Sequence, residues 1–262
     1  MPASDGVSRP DPALIADLRA RIERIGGWGL QPDHSLEARS FGVDEIDAAL
    51  PWGGLPRACV HEVAAADISA AAAGFCAVLL ARLANEGGTV AWCRRKDGLY
   101  GPGLAAFGLD TDRLIVVRAR TDKDVFWAME EGLRSGSLAA VLGEAGSTDS
   151  IALRRLQLAA ETGGVTALLL RPAGAAIVPG SVTSRWRVGT VSGVPAGDLS
   201  GKGRAGVNRP RWRVEMGRYK AMPPATWLLE WRDETGGLAV AADLCHRPAS
   251  PSADVIGSRR AI

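Results

Sequence analysis

The chain has 262 residues, 47% hydrophobic and 23% charged, with a net charge of +2 at pH 7. That is a globular balance, long enough to bury a sizeable core, with a total charge too small to dictate a partner. The N-terminus MPASDGVSRPDP carries no apolar signal segment, and no stretch approaches the roughly 18 apolar residues of a membrane span.

Charge is unevenly spread. Residues 185–232 hold ten Lys/Arg against three Asp/Glu, so the rest of the chain is net acidic. The cysteines (Cys59, Cys76, Cys93, Cys245) form no CxxC pair, and no His/Cys cluster has metal spacing. Three lie in apolar runs and read as small buried hydrophobes of a reduced cytoplasmic protein.

In chain order, residues 1–40 read as an N-terminal arm: an amphipathic helix over Pro12–Ile25, capped by Asp11, then the linker GGWGLQPDHS. FGVDEIDAAL predicts a short helix closed by the PWGG turn. ACVHEV (58–63) predicts a strand, and Ala70–Asn85 an alanine-rich helix. TVAWC (89–93), RLIVVRA (113–119), LAAVL (138–142) and VTALLL (165–170) predict strands. Helices over Leu99–Phe107, Asp122–Arg134 and Asp149–Glu161 separate them. This alternation predicts a mostly parallel sheet covered on both faces, with unbroken apolar runs such as LIVV and ALLL as central strands. After Pro172 the text changes to short strands: SRWRVGTV (184–191), PRWRVEM (210–216), TWLLEW (226–231) and GLAVAA (237–242). They predict an antiparallel extension at one edge. Residues 192–209 read as a mobile loop, and 246–262 as a disordered tail, leaving 41–245 as the core.

The segment FGVDEIDAALPWGGLPRACVHEV resembles the lead into the nucleotide site of RecA-type ATPases, through Gly42, Ile46, Asp47, Ala49, Leu50, Gly53, Gly54, Leu55, Pro56, Glu62 and Val63. GLDTDRL (108–114) and RVEMGRYKAMPPATWLLEW resemble later segments of that core, so the likeness covers about residues 40–232. It implies a RecA-like three-layer α/β core extended by C-terminal antiparallel strands. Continued without a gap, it puts the phosphate-loop glycines on Ala65 and Ala70. The phosphate lysine falls on Ala71, and the magnesium-binding hydroxyl on Ala72. Such loops need glycines so that backbone N–H groups turn inward, lysine as a point charge, and Ser/Thr for Mg²⁺. Alanine supplies none of these and favours helix. A helix starting earlier, with Asp67 or Ser69 as cap, is the expectation. The family's carboxylate base falls on Lys96, within Arg94-Arg95-Lys96. Gly143-Glu144 replaces the strand-end carboxylate, leaving Glu144 as a lone candidate. The resemblance therefore implies no enzyme, no cofactor and no metal.

Arg-Trp-Arg-Val (185–188), Pro-Arg-Trp-Arg-Val-Glu (210–215) and Trp-Leu-Leu-Glu-Trp (227–231) complete a resemblance to the ImuA family of RecA-like SOS-mutagenesis accessory proteins. It implies a non-catalytic role in SOS-induced translesion synthesis. The implied partners are ImuB, an error-prone replicative-type polymerase and RecA, with DNA as a further candidate. The implied location is cytoplasmic, on the nucleoid after damage. Two rival readings stand beside it: an unorthodox ATPase using Arg94, Arg95, Lys96 and Glu144, and an SOS-linked cell-division inhibitor.

On the RWRV strands, alternation puts Trp186 and Trp212 on one side, as core, and the arginines on the other. The candidate DNA- or partner-binding residues are Arg185, Arg187, Lys202, Arg204, Arg209, Arg211, Arg213, Arg218 and Lys220. The loop 171–184 reads as a simple connection. His61 reads as a satisfied buried histidine rather than a general base, since no nucleophile motif accompanies it.

Overall fold

The computed structural model describes residues 37–50, 52–84, 87–178, 182–191, 209–217, 224–232 and 236–241. The N-terminal helix expected over 12–25, the 192–208 part of the loop and the expected tail lie outside them. Nine strands form one sheet: β3 (Val60–Ala65), β4 (Val90–Arg94), β5 (Leu114–Arg118), β6 (Ala140–Glu144), β7 (Thr166–Arg171), β8 (Ser184–Thr190), β9 (Arg211–Met216), β10 (Ala225–Arg232) and β11 (Gly237–Val240). Their order is β11-β10-β9-β8-β3-β7-β6-β4-β5. The six strands from β8 to β5 are parallel, and β9, β10 and β11 each run antiparallel to the strand before. The first RWRV strand, β8, thus joins the parallel block, and the antiparallel extension starts one strand later.

Five α-helices are described: α1 (Asp44–Asp47), α2 (Ala71–Leu83), α3 (Gly101–Ala106), α4 (Asp122–Arg134) and α5 (Ser150–Gly163). A two-residue antiparallel pair, β1 (Ala38–Arg39) with β2 (Leu55–Pro56), brackets α1 and was not expected from the sequence. Helix α2, AAAGFCAVLLARL, is apolar apart from Arg82 in its last turn, and ten of its 13 residues are buried. A helix with one charged residue in 13 belongs largely inside. Between α2 and the sheet lies an aromatic core in which Phe41 stands 5.2 Å from Trp186 and Phe75 meets Trp212 edge-on at 6.3 Å. The opposite face carries α4 and α5 over a second core built on Val125, Met129, Leu133, Leu153 and Leu156. Helix–sheet–helix is the three-layer α/β architecture anticipated.

Caps fix the helix starts. At α4, the Asp124 N–H donates to the Thr121 hydroxyl (3.2 Å) and the Thr121 N–H to the Asp124 carboxylate (2.9 Å), a reciprocal capping box. At α5 the Ala152 N–H donates to the Asp149 carboxylate at 2.7 Å. Strand β5, the LIVV run, is not central. It lies at the sheet edge with Ile115 and Val116 exposed, because α4 packs over β4 and β6 rather than β5.

Candidate functional site

The carboxyl ends of parallel strands are where open α/β sheets bind ligands. Ala65 ends β3 there. The Ala66 N–H donates to the Val188 carbonyl at 2.8 Å, tying the following turn to β8. Asp67 tightens that tie: its carboxylate accepts from the Ser69 N–H (2.8 Å), the Thr190 N–H (2.8 Å) and the Thr190 hydroxyl (3.1 Å). The Ser69 hydroxyl, then the Thr190 and Ser69 N–H groups, hold the Asp67 carboxyl down at about 2. Helix α2 begins at Ala71 with Ala70 in the cap position, not earlier under Asp67 or Ser69 as the alanine content suggested. The reason is that Asp67 is committed to β8 and to Ser69, whose hydroxyl in turn accepts from the Ala71 N–H (3.2 Å) at the helix start itself. Ala70 is exposed and Ala65 half-buried, whereas Ala71 and Ala72 are packed into the aromatic core.

Across the corner from α2, the buried Trp92 of β4 donates its indole N–H to Glu144 at the end of β6, at 2.7 Å. The Arg94 Nε lies 3.4 Å from the same carboxylate oxygen. Glu144 is close enough to α2 that it adds to the burial which pushes the Cys76 thiol up. Arg95 reaches the other way. It donates to Asp122 at 3.0 Å and to the Arg120 carbonyl at 3.3 Å. Burial alone would raise the Asp122 carboxyl, but the Ser147 N–H and hydroxyl, with Arg95, hold it below the usual range. Lys96 lines a third place, a cleft of about 330 Å³ beside β5 shared with Arg94, Asp97, Leu99, Thr111 and Arg118. The three cations named in the sequence therefore do not converge on one point.

A buried network that sequence reasoning missed lies at the centre of the sheet. Glu62 on β3 receives Arg185 Nε of β8 at 2.7 Å and faces Arg171 Nε of β7 at 3.7 Å. Arg185 also donates to the Val178 carbonyl, so it is a structural residue rather than a free surface cation. The signal was weak: a glutamate in an apolar strand, with its partners more than 100 residues away.

Beyond Arg185 the described side chains on the α4/α5 face of the sheet form an ion-pair lattice more than a bare basic patch. Arg187 stands 3.5 Å from Glu215. Arg211 and Arg209 hold Glu230 at 2.7 and 3.3 Å. Burial raises the Glu230 carboxyl, and the Arg211 and Arg209 hydrogen bonds more than reverse this, leaving it below its ordinary value. Arg213 is exposed and has no carboxylate partner among the described residues. Lys202, Arg204, Arg218 and Lys220 lie outside those residues. Trp186 and Trp212 are buried on the other side of the same strands, so neither offers a ring for base stacking.

His61 is fully buried, with Nδ1 2.7 Å from the Ser184 hydroxyl and Nε2 2.8 Å from the Pro56 carbonyl. Burial drives its pKa down to about 4, so the ring is neutral. Cys59, Cys76 and Cys93 are buried free thiols, and burial pushes Cys59 and Cys93 up to about 12. Among the described residues there is no cluster of His, Cys, Asp and Glu able to hold a metal. No helix among them is long and apolar enough to cross a membrane.

No protein-family model matches the chain. Protein ImuA of Caulobacter vibrioides, strain NA1000, is 38% identical over 213 aligned residues, covering 76% of this chain and 85% of that protein. Protein ImuA of the strain ATCC 19089 matches equally. Protein RecA of Acholeplasma laidlawii is 32% identical over 109 residues, 40% of this chain and 32% of its own length. The coverage of both chains by the longer match decides the question: the chain belongs to the ImuA family.

Proposed function

We propose that this protein is a non-catalytic RecA-like accessory factor of SOS-induced error-prone translesion synthesis, bridging an ImuB/error-prone polymerase complex to RecA or DNA. Membership of the ImuA family implies a role in SOS mutagenesis and translesion synthesis; the bridging mechanism is our reading. One observation carries the non-catalytic part. The corner where a nucleotide's phosphates and metal would lie is built from the protein's own contacts, with Ala71 and Ala72 in the core and Glu144 taken up by Trp92 and Arg94. A carboxylate so engaged is a poor metal ligand, and Ala71 and Ala72 supply neither the lysine nor the hydroxyl a phosphate loop needs.

The rival ATPase reading needs Arg94, Arg95 and Lys96 to act together. Arg94 and Arg95 are instead bound to carboxylates on different sides of the sheet, which favours the accessory role. The bridging surface we assign to the arginine-bearing face of β8–β10, where Arg187 and Arg213 are exposed.

The test is capture of purified ImuB and RecA by the full chain, comparing wild type with Arg187→Ala/Arg213→Ala, alongside thermal melts with and without Mg-ATP. A ligand that binds only the folded state raises its melting temperature. Partner capture with no Mg-ATP shift is the expected result, and loss of capture in the double variant locates the contact. A clear Mg-ATP shift with turnover and no capture of either partner would sink the proposal.

A further inference from the structure

On the flank of α2, well away from Ala71 and Ala72, lies a half-enclosed cleft of about 320 Å³. Arg82 stands ten residues past Ala72, roughly 15 Å along the helix. The walls come from four places: Arg39 and Ser40 at β1, Val78 and Arg82 on α2, Phe107 after α3, and Trp231 on β10. Its only charged lining residues among those described are two arginines. The indole N–H of Trp231 is buried with no hydrogen-bond partner, although the residue is only 2% exposed. Arg39 Nε is likewise buried without a partner. Arg82 forms no ion pair among the described residues. The nearby carboxylate, Asp47, is already taken by the Ser40 hydroxyl (2.5 Å) and the Phe41 N–H (2.8 Å).

Native proteins leave few buried donors unmatched, and an unmatched group calls for an explanation. Arg82 alone has one, since a cation in the last turn of a helix suits the carbonyl end. That does not account for Arg39 or Trp231. Nor is Arg82 loosely held. A Cβ on Gly42 would lie 2.9 Å from its Nη2 and 3.1 Å from its Cζ, and Gly42 has a φ of +72°. Only glycine combines that backbone with room for the guanidinium. Two arginines and a tryptophan, brought together from three elements, line one cleft walled partly by aromatic rings.

We propose that this cleft binds a phosphate group, with Arg39 and Arg82 as its charged ligands and Trp231 Nε1–H as a third donor. Phosphate is favoured over carboxylate because the donors come from different directions. A carboxylate is planar and is satisfied by one guanidinium fork, whereas a phosphate presents oxygens on several sides. The apolar rings of Phe107 and Trp231 lower the polarity of the wall, which strengthens each contact. The phosphate comes either free in solution or from a nucleic-acid backbone, two sources with the same chemistry. This inference does not depend on the bridging role.

The test follows the Trp231 indole ¹⁵N–¹H signal of the full chain, assigned with Trp231→Phe, as sodium phosphate is added. Sodium chloride and sodium acetate at matched ionic strength are the controls. A saturable shift with phosphate alone is expected, weakened at least about tenfold in Arg82→Gln and in Arg39→Gln. Arg82→Lys, which keeps the charge but not the fork, should fall between. A single-stranded oligonucleotide that moves the same signal and displaces phosphate points to a backbone source; phosphate acting alone points to the free anion. The wild-type titration stands even if a variant fails to fold. No saturable shift with phosphate or oligonucleotide, an equal response to acetate, or unchanged binding in folded Arg82→Gln and Arg39→Gln overturns the proposal.

Discussion

Glu62→Ala is the substitution that most directly tests how the sheet is held. The Glu62 side chain is 5% exposed and the Arg171 side chain 2%, so both charges have left bulk water. Arg171 gains little elsewhere: Nε and Nη1 find no hydrogen-bond partner, and Nη2 reaches only the Ala176 carbonyl at 3.3 Å. Burial pulls its pKa down, and Glu62 is the foremost charge pulling it back up. Removing the carboxylate strands one guanidinium in the core and frees Arg185, whose side chain is 30% exposed and can partly rehydrate. Breaking a buried pair from one side costs about 3–5 kcal/mol. For a domain of this size that is roughly 6–20 °C of melting temperature. Glu62→Gln keeps an oxygen for Arg185 Nε and should lose about half as much. Replacing both partners, as in Glu62→Leu/Arg171→Met, should recover most of the loss, because no buried charge is left unmatched. Glu37→Ala is the control, since the 80%-exposed Glu37 side chain pairs with Arg57 at the surface, where such pairs contribute about 0–1 kcal/mol. The assay is urea and thermal unfolding at pH 7 with slopes compared between variants. A Glu62→Ala protein melting within about 2 °C of Glu37→Ala would refute the reasoning.

Three further outcomes are expected. Asp67 is held at about 2 when folded, below the usual 3.9 or so of an unfolded Asp, so its contribution is complete above that value and lost as pH falls from about 4 towards 2. Asp67→Asn should flatten the plot of urea midpoint against pH in that window and speed amide exchange at Thr190; an unchanged plot contradicts the assignment. Trp92→Phe removes the indole donor to Glu144 and should destabilise by about 1–2 kcal/mol, with the loss shrinking in a Glu144→Gln background. Additive losses in that cycle would mean the two groups are not coupled. Gly143→Ala should cost about 1–3 kcal/mol by overpacking, because a Cβ there would overlap Met129 Sδ and lie 3.0 Å from Val125 Cγ1. Met129→Val should relieve it, read as recovery of the melting temperature.

What could be read from the sequence was whatever depends on neighbours along the chain. Asp122–Arg134 could be read because Thr121 and Asp124 form a local box and Val125, Met129 and Leu133 recur at helical spacing. The alternation in RWRV placed the tryptophans and arginines on their correct faces. Strand order could not be read the same way. LIVV looks like a core strand, yet periodicity does not say which strands a helix covers, and β5 was left at the edge. The site suffered most. Glu144 was visible as a lone acid, but its partner Trp92 is 52 residues away and meets it only because β4 and β6 are neighbours. Glu215 and Glu230 were counted as minor charges, when pairing across β8, β9 and β10 sets them directly among the arginines.

That pairing changes what the β8–β10 arginine face can do. A row of unpaired arginines would bind any polyanion through counterion release, with affinity falling steeply as salt rises. Here Glu215 and Glu230 already engage Arg187, Arg209 and Arg211. A phosphate backbone would have to displace those carboxylates and would meet their repulsion. A protein surface with its own mixture of charges could exchange partners pair by pair and be selected by position. Among the described residues this pairing favours a specific protein partner over nucleic acid as the one we propose for the face. The capture experiment can decide this by its salt dependence. A shallow slope, with Glu215→Gln and Glu230→Gln weakening capture, fits a protein contact. If instead oligonucleotide binding follows a steep slope and those two variants strengthen it, the face reads phosphate.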